Sequence, residues 1–239
     1  LFGGSLSSTI AILALQLVVL DPGHGGRQPG AVAKDGTAEK HICLQVALRI
    51  ARLLQKDPEI RVLLTRREDQ TLGLSQRAEI ANRLKPAVFI SIHVNSSLRP
   101  SAKGVETYYL SNTHSDRRSR LLAQRENADL IETEKMPTGV LEKILKDADT
   151  GRMIGESARL ARLIQSGMVD AVGGTDRSVR QAPFAVLVRS GAAAALVELG
   201  FLSNRAELKK LKTSAHQDLL AKGIATAIQS FLRGQQPRP

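Results

Sequence analysis

From Leu17 onward the apolar residues switch repeatedly between a period of two and a helical period, and this alternation restricts the chain to few folds. Leu17-Val-Val-Leu20 is a β-branched-rich run stopped by Asp21-Pro-Gly23, the pattern of a strand entering a turn. From Thr37 the spacing becomes helical. Ile42, Cys43, Val46, Ala47, Ile50, Leu53 and Leu54 share a face, with Thr37 as the N-cap and Pro58 as the stop. Ile60 to Thr65 reads as the next strand and Leu74 to Leu84 as the next helix, followed by strand-like runs at Ala87 to Asn95 and Gly104 to Ser111. Residues 112–180 are charged and mostly helical in pattern. Strand character returns at Phe184 to Val188 and at Ala195 to Leu199, and a last helix runs from Ala215 to Leu232. Strands alternating with helices predict an α/β fold: a single domain with a mostly parallel twisted sheet covered by helices, plus a helical insertion between strands. The expected organisation is a linker or N-terminal extension over 1–16, a domain over 17–234 with its insertion at 112–172, and a tail at 235–239.

Composition narrows the function classes. At roughly 100–200 residues per domain, 239 residues fit one generous domain or two small ones, and 42% hydrophobic residues can form a core without disulfide staples. The only cysteine, Cys43, lies on the apolar helix face and reads as core filler rather than as a nucleophile. Aromatics are 3% with no Trp, poor in the stacking platforms of single-stranded nucleic-acid binders, and no nucleic-acid motif is visible. The net charge of +11 points to an anionic partner or to a well-solubilised surface. No segment reaches the ~18–20 apolar residues of a membrane span. The most apolar stretch, Ile10 to Leu20, is broken by Gln16, and no Lys or Arg precedes it to serve as the basic leader of an export signal. The chain begins at Leu1, so it is expected to be a fragment, with any export signal or further domain upstream.

Polar residues at strand ends carry the chemistry. His24 stands in Asp21-Pro-Gly-His-Gly-Gly26, a flexible turn directly after the first strand. In the third strand, period-two alternation puts Val88, Ile90, Ile92 and Val94 on one face and Phe89, Ser91, His93 and Asn95 on the other. His93 therefore lies near the carboxyl end of a buried strand, where open α/β sheets hold their ligands. Glu198 is the one charge in an otherwise apolar strand, and burial without a partner or a cation would cost several kcal/mol. Glu39, at the start of the first helix, can be returned by the loop to the same edge; its other reading is a helix N-terminal charge complementing the dipole. Two imidazoles and one carboxylate, with a second carboxylate left over, match a catalytic zinc site with three protein ligands and a general base.

These residues sit in recognisable pieces: Val18-Val-Leu-Asp-Pro-Gly-His-Gly-Gly26, Glu39-Lys40, Ser91-Ile-His-Val-Asn95 and Val197-Glu-Leu-Gly-Phe-Leu-Ser-Asn204. Thr65-Arg66, Asp69 and the Arg77…Ala81-Asn82 helix fit the same pattern. Together the chain resembles the zinc-dependent N-acetylmuramoyl-L-alanine amidases, in the branch used for daughter-cell separation, over about 185 residues. One departure is Pro86-Ala87, where the family has an Asp leading into the third strand. The resemblance implies one zinc ion held by His24, Glu39 and His93, with Glu198 as the catalytic carboxylate. The implied reaction is hydrolysis of the amide between N-acetylmuramic acid and L-alanine in peptidoglycan, for septal wall splitting. Peptidoglycan stem peptides carry carboxylates, for which Arg177, Arg180 and Arg189 are candidate clamps, each also readable as solvated surface.

In the insertion, Leu122, Ala123, Glu126 and Leu130 share a helical face, with Arg125 and Asn127 pointing elsewhere. Glu126 then stands within an apolar stripe or at its solvated margin. The resemblance makes it the candidate inhibitory metal ligand of a regulatory helix, released by a LytM-type activator protein, in a monomeric enzyme of the periplasm. Two other readings remain: a non-catalytic basic cell-wall-binding module, and a zinc peptidase acting within the stem peptide.

Overall fold

A computed structural model describes residues 15–128, 148–188 and 190–234. The expected linker up to residue 14, Leu130, the middle of the expected insertion (129–147), Arg189 and the tail at 235–239 lie outside the described residues. The strands are β1 (Gln16–Pro22), β2 (Ile60–Leu64), β3 (Val88–Asn95), β4 (Val105–Leu110), β5 (Asp176–Ala182) and β6 (Ala193–Phe201). The helices are α1 (Glu39–Leu54), α2 (Leu74–Leu84), α3 (Arg117–Glu126), α4 (Ala148–Val172), α5 (Ala185–Val188), α6 (Arg205–Leu211) and α7 (Ser214–Arg233).

The six strands form one sheet in the order β2-β1-β3-β6-β4-β5. The first four run parallel, β4 is antiparallel to β6, and β5 is parallel to β4. β3 and β6 are buried along their whole length, as expected of near-continuous apolar strands covered on both faces. Alternation along β3 splits the core as the sequence predicts. Val88, Ile90, Ile92 and Val94 join the larger cluster with α1, α4 and α7, while Phe89 joins a smaller one with Tyr108, Leu122 and Phe184. The chain leaves β1 for β2 on one side and returns through α2 to β3 on the other. The carboxyl ends of β1 and β3 therefore flank a topological switch point, the place where open α/β sheets form a ligand crevice.

Two local expectations are corrected. The run Phe184 to Val188 is not a strand; Ala185–Val188 is a single helical turn, and the strand lies earlier, at Asp176–Ala182. That segment reads Asp-Arg-Ser-Val-Arg-Gln-Ala, and as an edge strand it needs little apolar surface, so its sequence signal is weak. Thr37 is not the N-cap of the first helix: the cap is Ala38, with no side-chain cap bond. Loop carbonyls satisfy the orphan donors instead, Ala31 O accepting from Glu39 N at 2.9 Å and Pro29 O from Lys40 N at 3.2 Å. The same helix closes at Leu54, with Pro58 three residues past its C-cap Gln55 as the expected stop. Helices α3 and α4 do lie between β4 and β5, and α4 buries Leu160, Ala161, Ile164 and Met168 in the larger core. Among the described residues no helix is long and apolar enough to cross a membrane.

Candidate active site

The loop after β1 is held by two buried guanidinium groups. Arg66 donates from Nε to Pro22 O at 3.0 Å and from Nη2 to Gly23 O at 2.8 Å. Arg77 donates from Nη1 to Pro22 O at 2.7 Å and from Nη2 to His24 O at 2.6 Å. Buried Asp21 balances this charge, accepting from Arg77 Nη1 at 2.7 Å, Thr65 Oγ1 at 2.6 Å and Ser91 Oγ at 3.0 Å. Burial alone would raise its carboxyl, but Arg77 and these hydrogen bonds hold it below the usual carboxylate range. With its carbonyl fixed, His24 takes a left-handed conformation (φ 56°) and aims its ring at the crevice. Close packing explains two glycines. A Cβ on Gly23 would lie 2.4 Å from His93 Cε1, and one on Gly30 (φ +69°) would lie 2.5 Å from His24 Cδ2 and 2.6 Å from Glu39 Oε2.

Four donors converge there. Glu39 at the start of α1 accepts from Val94 N at 2.9 Å through Oε1 and from Ala31 N at 2.8 Å through Oε2. Its Oε1 lies 3.3 Å from His24 Nε2 and 3.1 Å from His93 Nδ1. Glu126 Oε2 lies 3.4 Å and 3.1 Å from the same two nitrogens. Each imidazole nitrogen thus faces two carboxylate oxygens but carries at most one proton, so hydrogen bonding cannot account for all four approaches. A shared cation can. Four ligands about 2.0–2.1 Å from a tetrahedral zinc stand about 3.3–3.4 Å apart, and the four imidazole–carboxylate separations fall close to that value. The donor set of two imidazoles and carboxylate oxygens, all within 4.8 Å of one another, fits zinc in kind as well as in spacing.

Electrostatics follow from that crowding. Burial raises the Glu39 carboxyl, but the His24 charge and hydrogen bonds from both imidazoles bring it down to about 2. Burial lowers the imidazoles, yet the neighbouring carboxylates outweigh it: His24 is raised to about 9 and His93 to about 10. Glu198 stands outside the four-donor group, on β6 in register with His93. It is fully buried, and neither of its oxygens has a hydrogen-bond partner among the described residues. Burial pushes its carboxyl well up; the Arg125 charge opposes this, and Glu39, Glu126 and Glu106 add to it.

The structure brings together His24, Glu39, His93 and Glu126 and sets Glu198 beside them. Glu126 is buried with Leu122 and Ala123, so it lies within the apolar stripe rather than at its margin. Of its flanking residues Asn127 points elsewhere, as expected, and Arg125 does not. Arg125 folds back, donating from Nε to Glu126 Oε1 at 2.8 Å, with Nη2 4.0 Å from Glu198 Oε1. Asn127 donates to Pro183 O at 2.9 Å and accepts from Ala185 N at 2.9 Å. At its other end α3 is capped by Asp116, whose Oδ2 also binds Arg180 Nη1 at 2.6 Å. Arg180, a candidate substrate clamp in the sequence, therefore anchors this helix. The cavity bounded by His24, His93 and Glu126 holds only about 20 Å³, room for a water and not for a peptide. Arg125 was the residue the sequence pattern missed, since helical phase alone sends neighbours to different faces.

Comparison with known proteins finds relatives over most of the chain. A family model described as N-acetylmuramoyl-L-alanine amidase matches residues 18–230. The chain is 33% identical over 220 residues to N-acetylmuramoyl-L-alanine amidase AmiA of Escherichia coli (strain K12), covering 90% of this chain and 76% of that protein. It is 32% identical over 218 residues to AmiC of Escherichia coli O6:H1, covering 90% of this chain and 52% of that protein, so the chain spans about half of AmiC. The solved N-acetylmuramoyl-L-alanine amidase of Clostridium difficile 630 superposes with a TM-score of 0.74 at 30% identity, covering 93% of this chain and 99% of that one.

Proposed function

Because the chain belongs to the N-acetylmuramoyl-L-alanine amidase family, we propose that it hydrolyses the amide between N-acetylmuramic acid and L-alanine in peptidoglycan. In this reading His24 Nε2, Glu39 Oε1 and His93 Nδ1 would hold one zinc ion, and Glu126 Oε2 would take the place of the water. The observation that carries it is the set of four donor separations of 3.1–3.4 Å around one point. Zinc bound there supplies Lewis-acid chemistry, polarising the scissile carbonyl and making water a stronger acid. Glu198 does the proton transfer: its unpartnered oxygens take a proton from the attacking water and deliver it to the departing nitrogen of L-alanine. The Arg66 and Arg77 donors keep His24 aimed at the site, and the backbone N–H of Val94 and of Ala31 keep Glu39 ionised and oriented.

The closed state is inhibitory. With Glu126 in place and about 20 Å³ of free volume, the substrate has no room at the reacting groups. Shutting 99% of molecules needs only about 2.7 kcal/mol, so a partner that binds the open form can release the block. We take that partner to be a LytM-type protein, and the setting to be septal wall splitting in the periplasm by a monomeric enzyme with 112–172 as its regulatory segment. Glu126→Ala should raise basal release of peptides with an L-Ala amino terminus from purified sacculi while zinc stays bound. An unchanged rate with zinc retained would remove the blocking role, and cleavage inside the stem peptide would replace the amidase with a peptidase.

A further inference from the structure

Three polar residues beside the metal-ligand cluster take no part in the chemistry: Lys40, Asp69 and Thr71. Lys40 follows Glu39 on α1, while Asp69 and Thr71 lie in the loop between β2 and α2. Lys40 Nζ donates to Asp69 Oδ2 at 2.6 Å and to Gly26 O at 2.8 Å. Asp69 Oδ1 in turn accepts from Gly26 N at 2.7 Å. The three groups close a ring around both backbone polar atoms of Gly26, a residue in the left-handed region at φ 56°. Thr71 Oγ1 extends the grip by accepting from Arg27 N at 2.9 Å. A Cβ on Gly25 would collide with Gln70 O and one on Gly26 with Thr71, so the two loops touch without a gap.

Both ends of this ring sit next to metal-ligand candidates. Lys40 adjoins Glu39, and Gly26 lies two residues beyond His24. Those two side chains stand on separate elements, joined along the chain only by the loop from Arg27 to Ala38. From the buried side Arg66 makes a matching bridge, donating from Nη2 to Gly23 O at 2.8 Å and to Lys40 O at 2.9 Å. The Lys40–Asp69 pair closes the same joint from the solvent side. As an ion pair it contributes little to stability, because the Asp69 side chain is 40% exposed and solvent screens the attraction. Its consequence is geometric: it fixes one loop against the start of one helix.

We propose that Lys40 and Asp69 are positioning residues that set the spacing of His24 and Glu39, so that the protein itself holds His24 Nε2 3.3 Å from Glu39 Oε1. The inference rests on the metal reading of the site and adds to it what pre-organises two of the ligands. Ligands already in place lose less conformational freedom when an ion binds, so the ion is held more tightly.

The test compares the parent chain with Lys40→Met, Asp69→Ala and the double variant, by zinc competition against a chelating dye. Each single variant should bind zinc about tenfold more weakly or worse. The double variant should lose no more than the weaker single one, since either change opens the same ring. The midpoint of thermal unfolding should move by less than about 4 °C. Cobalt(II) in place of zinc gives a second readout: its visible bands are intense in a regular four-coordinate site and should weaken in the variants. Asp218→Ala breaks another ion pair of the same helix, Arg49 Nε to Asp218 Oδ1 at 2.8 Å, and should leave affinity and spectrum unchanged. Parent-like affinity and cobalt spectra in Lys40→Met and Asp69→Ala overturn the proposal. So does an equal loss in Asp218→Ala, or a loss that only tracks the melting midpoint, either of which reduces the effect to stability of the fold. A parent chain that takes up neither ion overturns the metal reading and the proposal with it, a result distinct from any change confined to the variants.

Discussion

Arg77 is the residue on which the rigidity of the His24 loop depends most. Its guanidinium and the Asp21 carboxylate are almost wholly buried and 2.7 Å apart, and the same side chain donates to Leu72, Pro22 and His24 carbonyls. Arg77→Met leaves Asp21 as an uncompensated buried charge, a change that costs about 3–5 kcal/mol. At about 2–4 °C per kcal/mol for a domain of this size, the midpoint of thermal unfolding should fall by about 6–20 °C. Asp21→Asn/Arg77→Met removes both charges and should recover part of that loss, giving a coupling energy of at least about 1 kcal/mol in a double-mutant cycle. Loss of the donor to His24 O also frees the imidazole, so zinc affinity of the folded variant should drop about 10–100-fold, as for other groups that orient metal ligands. Denaturant unfolding and competition with a chelating dye read the two effects separately. An Arg77→Met protein within about 1 kcal/mol of the parent, or two single changes that simply add, would mean that Asp21 and Arg77 do not stabilise the loop as a buried pair.

Four further outcomes follow from the site. With His24 raised to about 9 and His93 to about 10, both imidazoles carry protons near neutral pH, so zinc binding should release about two protons per ion, read by calorimetry in buffers of different ionisation enthalpy. The same raised values mean that their stabilisation of the zinc-free fold is complete below the ordinary histidine pKa and is lost as pH climbs through about 9 to 10, so zinc-free protein should melt earlier across that window. Glu198→Gln should abolish peptide release in the Glu126→Ala background while zinc content stays unchanged; a surviving rate would move proton transfer to another group. Arg180→Ala, which unties the cap of α3 at Asp116, should raise basal activity, though less than Glu126→Ala does.

Much of this was legible in the chain because burial leaves a period. The alternation in β3 puts His93 on the face opposite Val94, and the lone charge in β6 marks Glu198 from the sequence alone. The local surroundings of those residues were less legible. Asp176–Ala182 is an edge strand with few apolar residues, so its period-two signal is thin, whereas Phe184 to Val188 is apolar enough to mimic a strand although it closes into a turn of helix against Tyr108. Helical phase put Arg125 on a different face from Glu126, but a long flexible side chain can fold back across its own helix, and the attraction of a buried carboxylate makes it do so. The start of α1 carries no capping side chain because the loop from Pro29 to Ala31 supplies the acceptors, a tertiary contact that no local pattern encodes.

The claim on which all of this turns is that His24, Glu39 and His93 form one metal site. The most direct measurement is the zinc-to-protein ratio of the purified, zinc-reconstituted chain beside His24→Ala/His93→Ala, with circular dichroism showing that both are folded. The ratio should be near one for the parent and should collapse in the folded variant. A parent chain that takes up no zinc, or a variant that keeps it, would mean that these three residues do not form a zinc site.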